Sequence, residues 1–210
     1  RDLIVETLGC HQLGFGRKGG AEAMVHAARA AILTHPPRSA FLKLDFRNAF
    51  NCLRRDHLLQ VVSRVVPDLF HLTQQAYQDP SFVLFGSDVL SSACGVQQGD
   101  PLGPAYFSLG IRDLVSSIEA PFNAWYLDDG ILGGPIETLL QDVRRVLDFH
   151  AISGLELNPT KCELYAPGLE ADDRVLRELM ALLPGCIPVT AASLTLLGSP
   201  LLPEALPASI

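Results

Sequence analysis

Two acidic residues stand side by side between apolar runs: Asn123–Leu127 and Gly130–Leu132 bracket Asp128-Asp129. Strand-forming residues on both sides of so short a polar insert predict a hairpin with a tight acidic turn. A further carboxylate, Asp45, lies near the end of a second apolar run. That run, Ala40–Phe46, reads as a buried strand whose other charge is Lys43. Carboxylates beside apolar strands are costly to desolvate unless a cation compensates. Two of them about 4 Å apart repel by roughly 4 kcal/mol at an effective dielectric of about 20. Hard oxygen donors in such a cluster suit Mg²⁺, and two such ions can clamp the attacking and leaving oxygens of a phosphoryl transfer. Asp is also a common turn residue, so the dipeptide alone reads more readily as a plain acidic β-turn.

The rest of the chain predicts helices interleaved with short strands. Ala21–Thr34 is alanine-rich with apolar residues at helical spacing and is stopped by His35-Pro36-Pro37. Helices are predicted over Arg54–Val66, Asp68–Gln78, Leu102–Ile118, Glu137–Ser153 with Gly154 as C-cap, and Ala171–Leu183. Phe82–Phe85 and Val89–Ser92 flank Gly86-Ser87-Asp88 as a small hairpin; Lys161–Tyr165 and Ser193–Leu197 read as strands. The elements lack a strict βαβ rhythm, so the expected class is α+β, with helices packed on one face of an antiparallel sheet.

Hydrophobic residues make up 48% of the 210 positions and charged residues 19%, which excludes a disordered tail and leaves ample material for a core. No apolar run reaches the roughly 18 residues that a membrane helix needs, so no membrane is expected as a partner. The opening RDLIVETLGCHQ lacks the pattern of a secretory signal and begins without Met, as a piece of a longer protein would. Cys10, Cys52, Cys94, Cys162 and Cys186 form no C-x-x-C pair, which argues against a zinc ribbon or a disulfide framework. A reducing, intracellular location, nucleus or cytoplasm, is expected. The net charge of −7 argues against nucleic-acid binding, but it is unevenly spread. Residues 1–60 hold nine Lys/Arg against five Asp/Glu, and residues 61–210 hold seven against eighteen. A surface that grips a phosphate backbone would therefore sit mainly in the N-terminal part.

Six segments, in order, carry a resemblance. Gln12-Leu13-Gly14-Phe15-Gly16-Arg17-Lys18-Gly19-Gly20 is similar to a fingers segment of non-LTR-retrotransposon and group II intron reverse transcriptases. Lys43-Leu44-Asp45-Phe46-Arg47-Asn48-Ala49-Phe50-Asn51 resembles the first catalytic motif of that family, an Asp followed five residues later by an aromatic. Gly95-Val96-Gln97-Gln98-Gly99-Asp100-Pro101-Leu102 resembles the second, and Trp125–Gly130 the third, an aromatic-x-Asp-Asp hairpin. Gly154–Lys161 resembles the fourth, and Leu196-Leu197-Gly198-Ser199-Pro200 looks like the primer-grip turn. Departures are Asn51, where many relatives have Asp, and Leu127 in the variable slot of the hairpin.

What the resemblance implies is an RNA-directed DNA polymerase from a retroelement, working on an RNA or DNA template with a primer and on dNTPs. Asp45, Asp128 and Asp129, with the carbonyl of Phe46, would hold two Mg²⁺ ions, for which Mn²⁺ could substitute. Phe50, with Ala49, would lie under the incoming sugar and exclude a 2′-hydroxyl; a packed core Phe is the plain alternative. Gln98 and Gly99 would contact the nucleotide and template, or form a mere polar turn. Lys161 would protonate the leaving pyrophosphate, although a lysine opening a strand is often only solvated. Arg17 and Lys18 would grip triphosphate oxygens or belong to an exposed loop, and Leu197 and Gly198 would hold the primer.

The resemblance further implies a right-hand polymerase fold. Residues 1–40 would be a partial fingers segment and 41–200 the palm, with inserted fingers elements at about 54–95. Residues 201–210 would be a tail toward a thumb that is missing, and flanking domains of a larger polyprotein would complete the parent. One alternative is an inactive or decayed retroelement fragment that only binds nucleic acid. Another, a nucleotide cyclase on a related palm, has no use for Phe50 or the Gln98-Gly99-Asp100-Pro101 turn.

Overall fold

A computed structural model describes residues 2–206. In chain order the helices and strands are α1 (Asp2–Leu8), α2 (Gly20–Leu33), β1 (Ser39–Leu44), α3 (Ala49–Cys52), α4 (Arg55–Val65) and α5 (Phe70–Tyr77). Then come β2 (Ser81–Phe85), β3 (Asp88–Ser92), α6 (Gly103–Gly110), α7 (Arg112–Ser117), β4 (Phe122–Tyr126), β5 (Asp129–Pro135) and α8 (Ile136–Ser153). The last are β6 (Glu163–Tyr165), α9 (Arg174–Leu182), β7 (Ile187–Pro188), β8 (Thr195–Leu196) and β9 (Ser199–Pro200). The class is α+β, as expected, and among the described residues no helix is long and apolar enough to cross a membrane.

The body is a five-stranded sheet in the order β4-β5-β1-β6-β7. Its pairs are antiparallel except β6–β7, which is parallel because α9 carries the chain from one to the other. Alternation along β1 divides the core. Ala40, Leu42 and Leu44 face α4, α6, α7 and α8, whereas Phe41 joins Ala124 and Ile131 beneath Met24, Val25, Ala28 and Ile32 of α2. Most helices thus cover one face, and α2 covers part of the other. The β8–β9 hairpin turns at Leu197 and Gly198, both with positive φ. It docks on α2, where the Arg29 guanidinium donates to the Pro200 carbonyl at 2.6 Å. Of the tail expected over 201–210, residues 207–210 lie outside the described residues.

Several boundaries differ from the sequence reading. The helix expected over Leu102–Ile118 is two helices, α6 and α7. The buried His57 ring takes up the Gly110 carbonyl at 2.8 Å, an acceptor that a continuous helix would have used in its own ladder. Asp173 moves the start of α9 inward, because its carboxylate caps the Val175 and Leu176 N–H groups at 2.9 and 3.1 Å. The strand expected from Lys161 begins at Glu163, and Pro159–Lys161 form a 3₁₀ turn instead.

Candidate active site

The acidic hairpin is tighter than its sequence predicts. Pairing runs from Phe122↔Gly133 to Tyr126↔Asp129, so the turn is Leu127–Asp128 and Asp129 already belongs to β5. Leu127 has φ 56°, in the left-handed region. A β-carbon there costs about 1–2 kcal/mol, so neighbouring groups must hold the turn.

Asp45 arrives from the adjacent strand. Because Leu44 pairs with Gly130, the next residue of β1 emerges beside Asp129 at the end of the sheet. The main chain is fixed there from the other side. The Asp45 carbonyl accepts from Asn158 N–H at 2.8 Å, and Arg47 N–H donates to the Glu156 carbonyl at 2.8 Å. These two bonds make the Phe46↔Leu157 bridge and leave the Phe46 carbonyl out of it. The Phe46 ring is buried and stacks on Trp125 with centroids 6.2 Å apart.

Asp128 and Asp129 both feel the Asp45 charge. Burial holds the half-buried Asp128 carboxyl above the usual carboxylate range, and the Asp45 charge adds to this. Asp129 is also raised, by desolvation first and then by Asp128 and Asp45, while Lys43 opposes. Oδ1 of Asp45 is buried and has no hydrogen-bond partner. An open cleft of about 360 Å³ is lined by Asp45 and Asp129 together with Lys43, Thr160, Lys161 and Glu163. Lys161 is exposed at its rim. Asp128 lies outside the cleft lining, so its link to the group is electrostatic.

Among the described residues no three His, Cys, Asp or Glu side chains converge tightly enough to hold a metal ion unaided. Mg²⁺ rarely asks for that: it binds through one or two carboxylates and completes its octahedron with water and substrate phosphates. A carboxylate that lines a cleft, keeps one buried oxygen without a partner and neighbours two carboxyls of raised pKa fits such a shared site. It does not fit a closed structural one.

The other expected site residues sit on separate elements. Phe50 is half-buried and stacks on Phe107, with centroids 4.4 Å apart and planes 12° from parallel, while Ala49 is buried below. Gln98 and Gly99 are exposed in the turn before α6, Gly99 with φ 88°. Arg17 donates to the Gly9 carbonyl at 2.7 Å, which ties it to the end of α1, whereas Lys18 is exposed. Leu197 and Gly198 form the tip of the β8–β9 hairpin.

Sequence reasoning passed over several residues that shape the site. Asp100 accepts from the Tyr77 hydroxyl and from Leu102 N–H, the latter at 2.8 Å, and so fixes the turn that carries Gln98 and Gly99. Arg55 is buried and binds the Gly95 carbonyl at 3.0 Å and the Ser92 carbonyl at 2.7 Å, joining the β2–β3 stem to α4. Lys43 pairs with Glu163 at 2.8 Å on the cleft wall. A lone charge inside an apolar strand was the available signal for Lys43. Arg55, placed within a plain amphipathic helix, offered none.

The fold has relatives among solved structures. The telomerase of Candida albicans, solved in complex with the TWJ fragment of telomeric RNA, matches at TM-score 0.50 and 13% identity, over 79% of this chain and 32% of that one. Apo telomerase from Candida tropicalis, truncated from its C-terminal domain, matches at TM-score 0.52 and 12% identity, over 82% of this chain and 40% of that one. The chain therefore spans less than half of either telomerase, and at such identity the likeness speaks for the fold alone. No curated protein matches it. A family pattern, that of the reverse transcriptase (RNA-dependent DNA polymerase), matches residues 4–201. With nearly the whole chain inside that match, the protein belongs to the reverse transcriptase family.

Proposed function

We propose that this chain is the polymerising core of an RNA-directed DNA polymerase of retroelement origin, which extends a primer on a template by nucleotidyl transfer. One observation carries this reading. Asp45 meets the Asp128–Asp129 hairpin from a strand distant in sequence and keeps an unpartnered buried oxygen there. Asp45, Asp128, the Phe46 carbonyl and, less directly, Asp129 would hold two Mg²⁺ ions. When bound, these would stabilise charge on the attacking primer oxygen and the leaving pyrophosphate.

The chain's own groups would do the rest. Phe50, braced by Phe107, would press under the sugar and leave no room for a 2′-hydroxyl. Gln98 and Gly99, on the turn held by Asp100, would meet the nucleotide and the template backbone. Lys161 would donate a proton to pyrophosphate. Lys18 would reach triphosphate oxygens more readily than Arg17, which would first have to leave the Gly9 carbonyl. Leu197–Gly198 would support the primer. On this reading residues 1–40 and about 54–95 are fingers and the five-stranded sheet is palm.

The test is dTTP incorporation by the parent protein on poly(rA)/oligo(dT) with Mg²⁺. Incorporation is expected, and Asp45→Asn should lower it on the order of a thousandfold or more, as loss of a central catalytic group does. Template binding without incorporation would leave an inert retroelement fragment, and incorporation untouched by Asp45→Asn would overturn the site.

A further inference from the structure

The turn that carries Asp128 is held by a side chain outside the acidic cluster. Gln12 is 2% exposed, and its carboxamide copies a peptide group. Its N–H donates to the Leu127 carbonyl at 3.2 Å, and its oxygen accepts from Leu127 N–H at 2.8 Å and from Gly14 N–H at 3.0 Å. The main chain around it runs as a short parallel strand along β4: Leu13 N–H donates to the Trp125 carbonyl at 2.7 Å, and Trp125 N–H to the His11 carbonyl at 2.8 Å. Gly14 lets this segment close in, because a β-carbon there would lie 2.4 Å from the Leu127 nitrogen. Both polar groups of a left-handed non-glycine peptide are thereby satisfied by one buried side chain.

We infer that Gln12 is a positioning residue: it fixes Leu127 in its left-handed conformation and so sets where the adjoining Asp128 carboxylate stands relative to Asp45. The inference rests on the polymerase reading for its consequence but not for its geometry. Removing an outer partner of a metal-binding group commonly costs about 10–100-fold in metal affinity or activity. A role confined to packing would instead appear as lost stability at unchanged metal dependence.

The test compares the parent protein with Gln12→Met, which keeps volume and loses all three bonds, and Gln12→Glu, which keeps the two accepted bonds. Amide exchange at Leu127, read in the metal-free protein, should be slow in wild type and in Gln12→Glu and fast in Gln12→Met. Mn²⁺ affinity, titrated by electron paramagnetic resonance without nucleotide, should fall about tenfold or more in Gln12→Met, with Gln12→Glu between the two. The Mg²⁺ concentration for half-maximal incorporation should rise in the same order, at unchanged primer–template affinity. Wild-type exchange at Leu127 and wild-type Mn²⁺ affinity in Gln12→Met would overturn the inference. If Gln12→Met does not fold, fast Leu127 exchange in a folded Gln12→Glu would do so. A wild type that neither binds Mn²⁺ nor polymerises would sink the proposed function instead, and the exchange rates would still decide the role of Gln12.

Discussion

At the scale of single residues, the acidic cluster sets stability against readiness. Desolvation raises the Asp128 carboxyl, with Asp45 adding to the shift, so the ionised form is worse off in the folded protein than in the unfolded chain. The folded state gains from a bound proton, and that gain is complete below the ordinary carboxylate range. It is lost as pH rises through the elevated value of the folded protein. Asp128→Asn should therefore melt higher than wild type at pH 7 without metal, and the difference should vanish at a pH below the ordinary carboxylate range. The same substitution should abolish incorporation. Thermal melts across pH, set beside the poly(rA)/oligo(dT) assay, check both halves.

At the scale of elements, buried polar groups decide the boundaries. Asp142 of α8 is wholly buried and accepts from Glu119 N–H at 3.0 Å and Ala120 N–H at 2.8 Å, besides pairing with Arg145 at 2.5 Å. Asp142→Ala would strand two backbone donors where α7 leads into β4, and should cost about 3 kcal/mol in urea unfolding. The sequence shows such features unevenly. The hairpin around the acidic pair, the strand ending at Asp45 and the long helix up to Gly154 follow from apolar period and cap chemistry, which are local. The break between α6 and α7 depends on His57 reaching the Gly110 carbonyl from another helix, and the late start of β6 depends on the 3₁₀ turn at Pro159. The α1 helix was not predicted, since seven residues carry little periodicity of their own. The candidate acids were singled out by family spacing. Gln12 and Asp100 lay inside family-like segments, but their contacts, like those of Arg55, are made across the fold and leave no local signal.

At the scale of the molecule, the five-stranded sheet gathers the core, and the β2–β3 hairpin lies outside it. The β2–β3 pair forms a two-stranded sheet of its own, in which Phe82, Leu84 and Phe85 are 74%, 77% and 72% exposed. Its stem is anchored by Arg55 and by Gln97, whose amide donates to Ser81 Oγ at 2.8 Å. Both flanks of the ribbon carry greasy side chains into water, and its outer edges keep unpaired peptide groups, which is how chains come to stack. Leu84→Lys should thus raise the concentration at which the free protein stays monodisperse in light scattering, with little change in melting temperature. For anyone purifying this protein, its weakest point as a solute is a ribbon of ten strand residues and a two-residue bend.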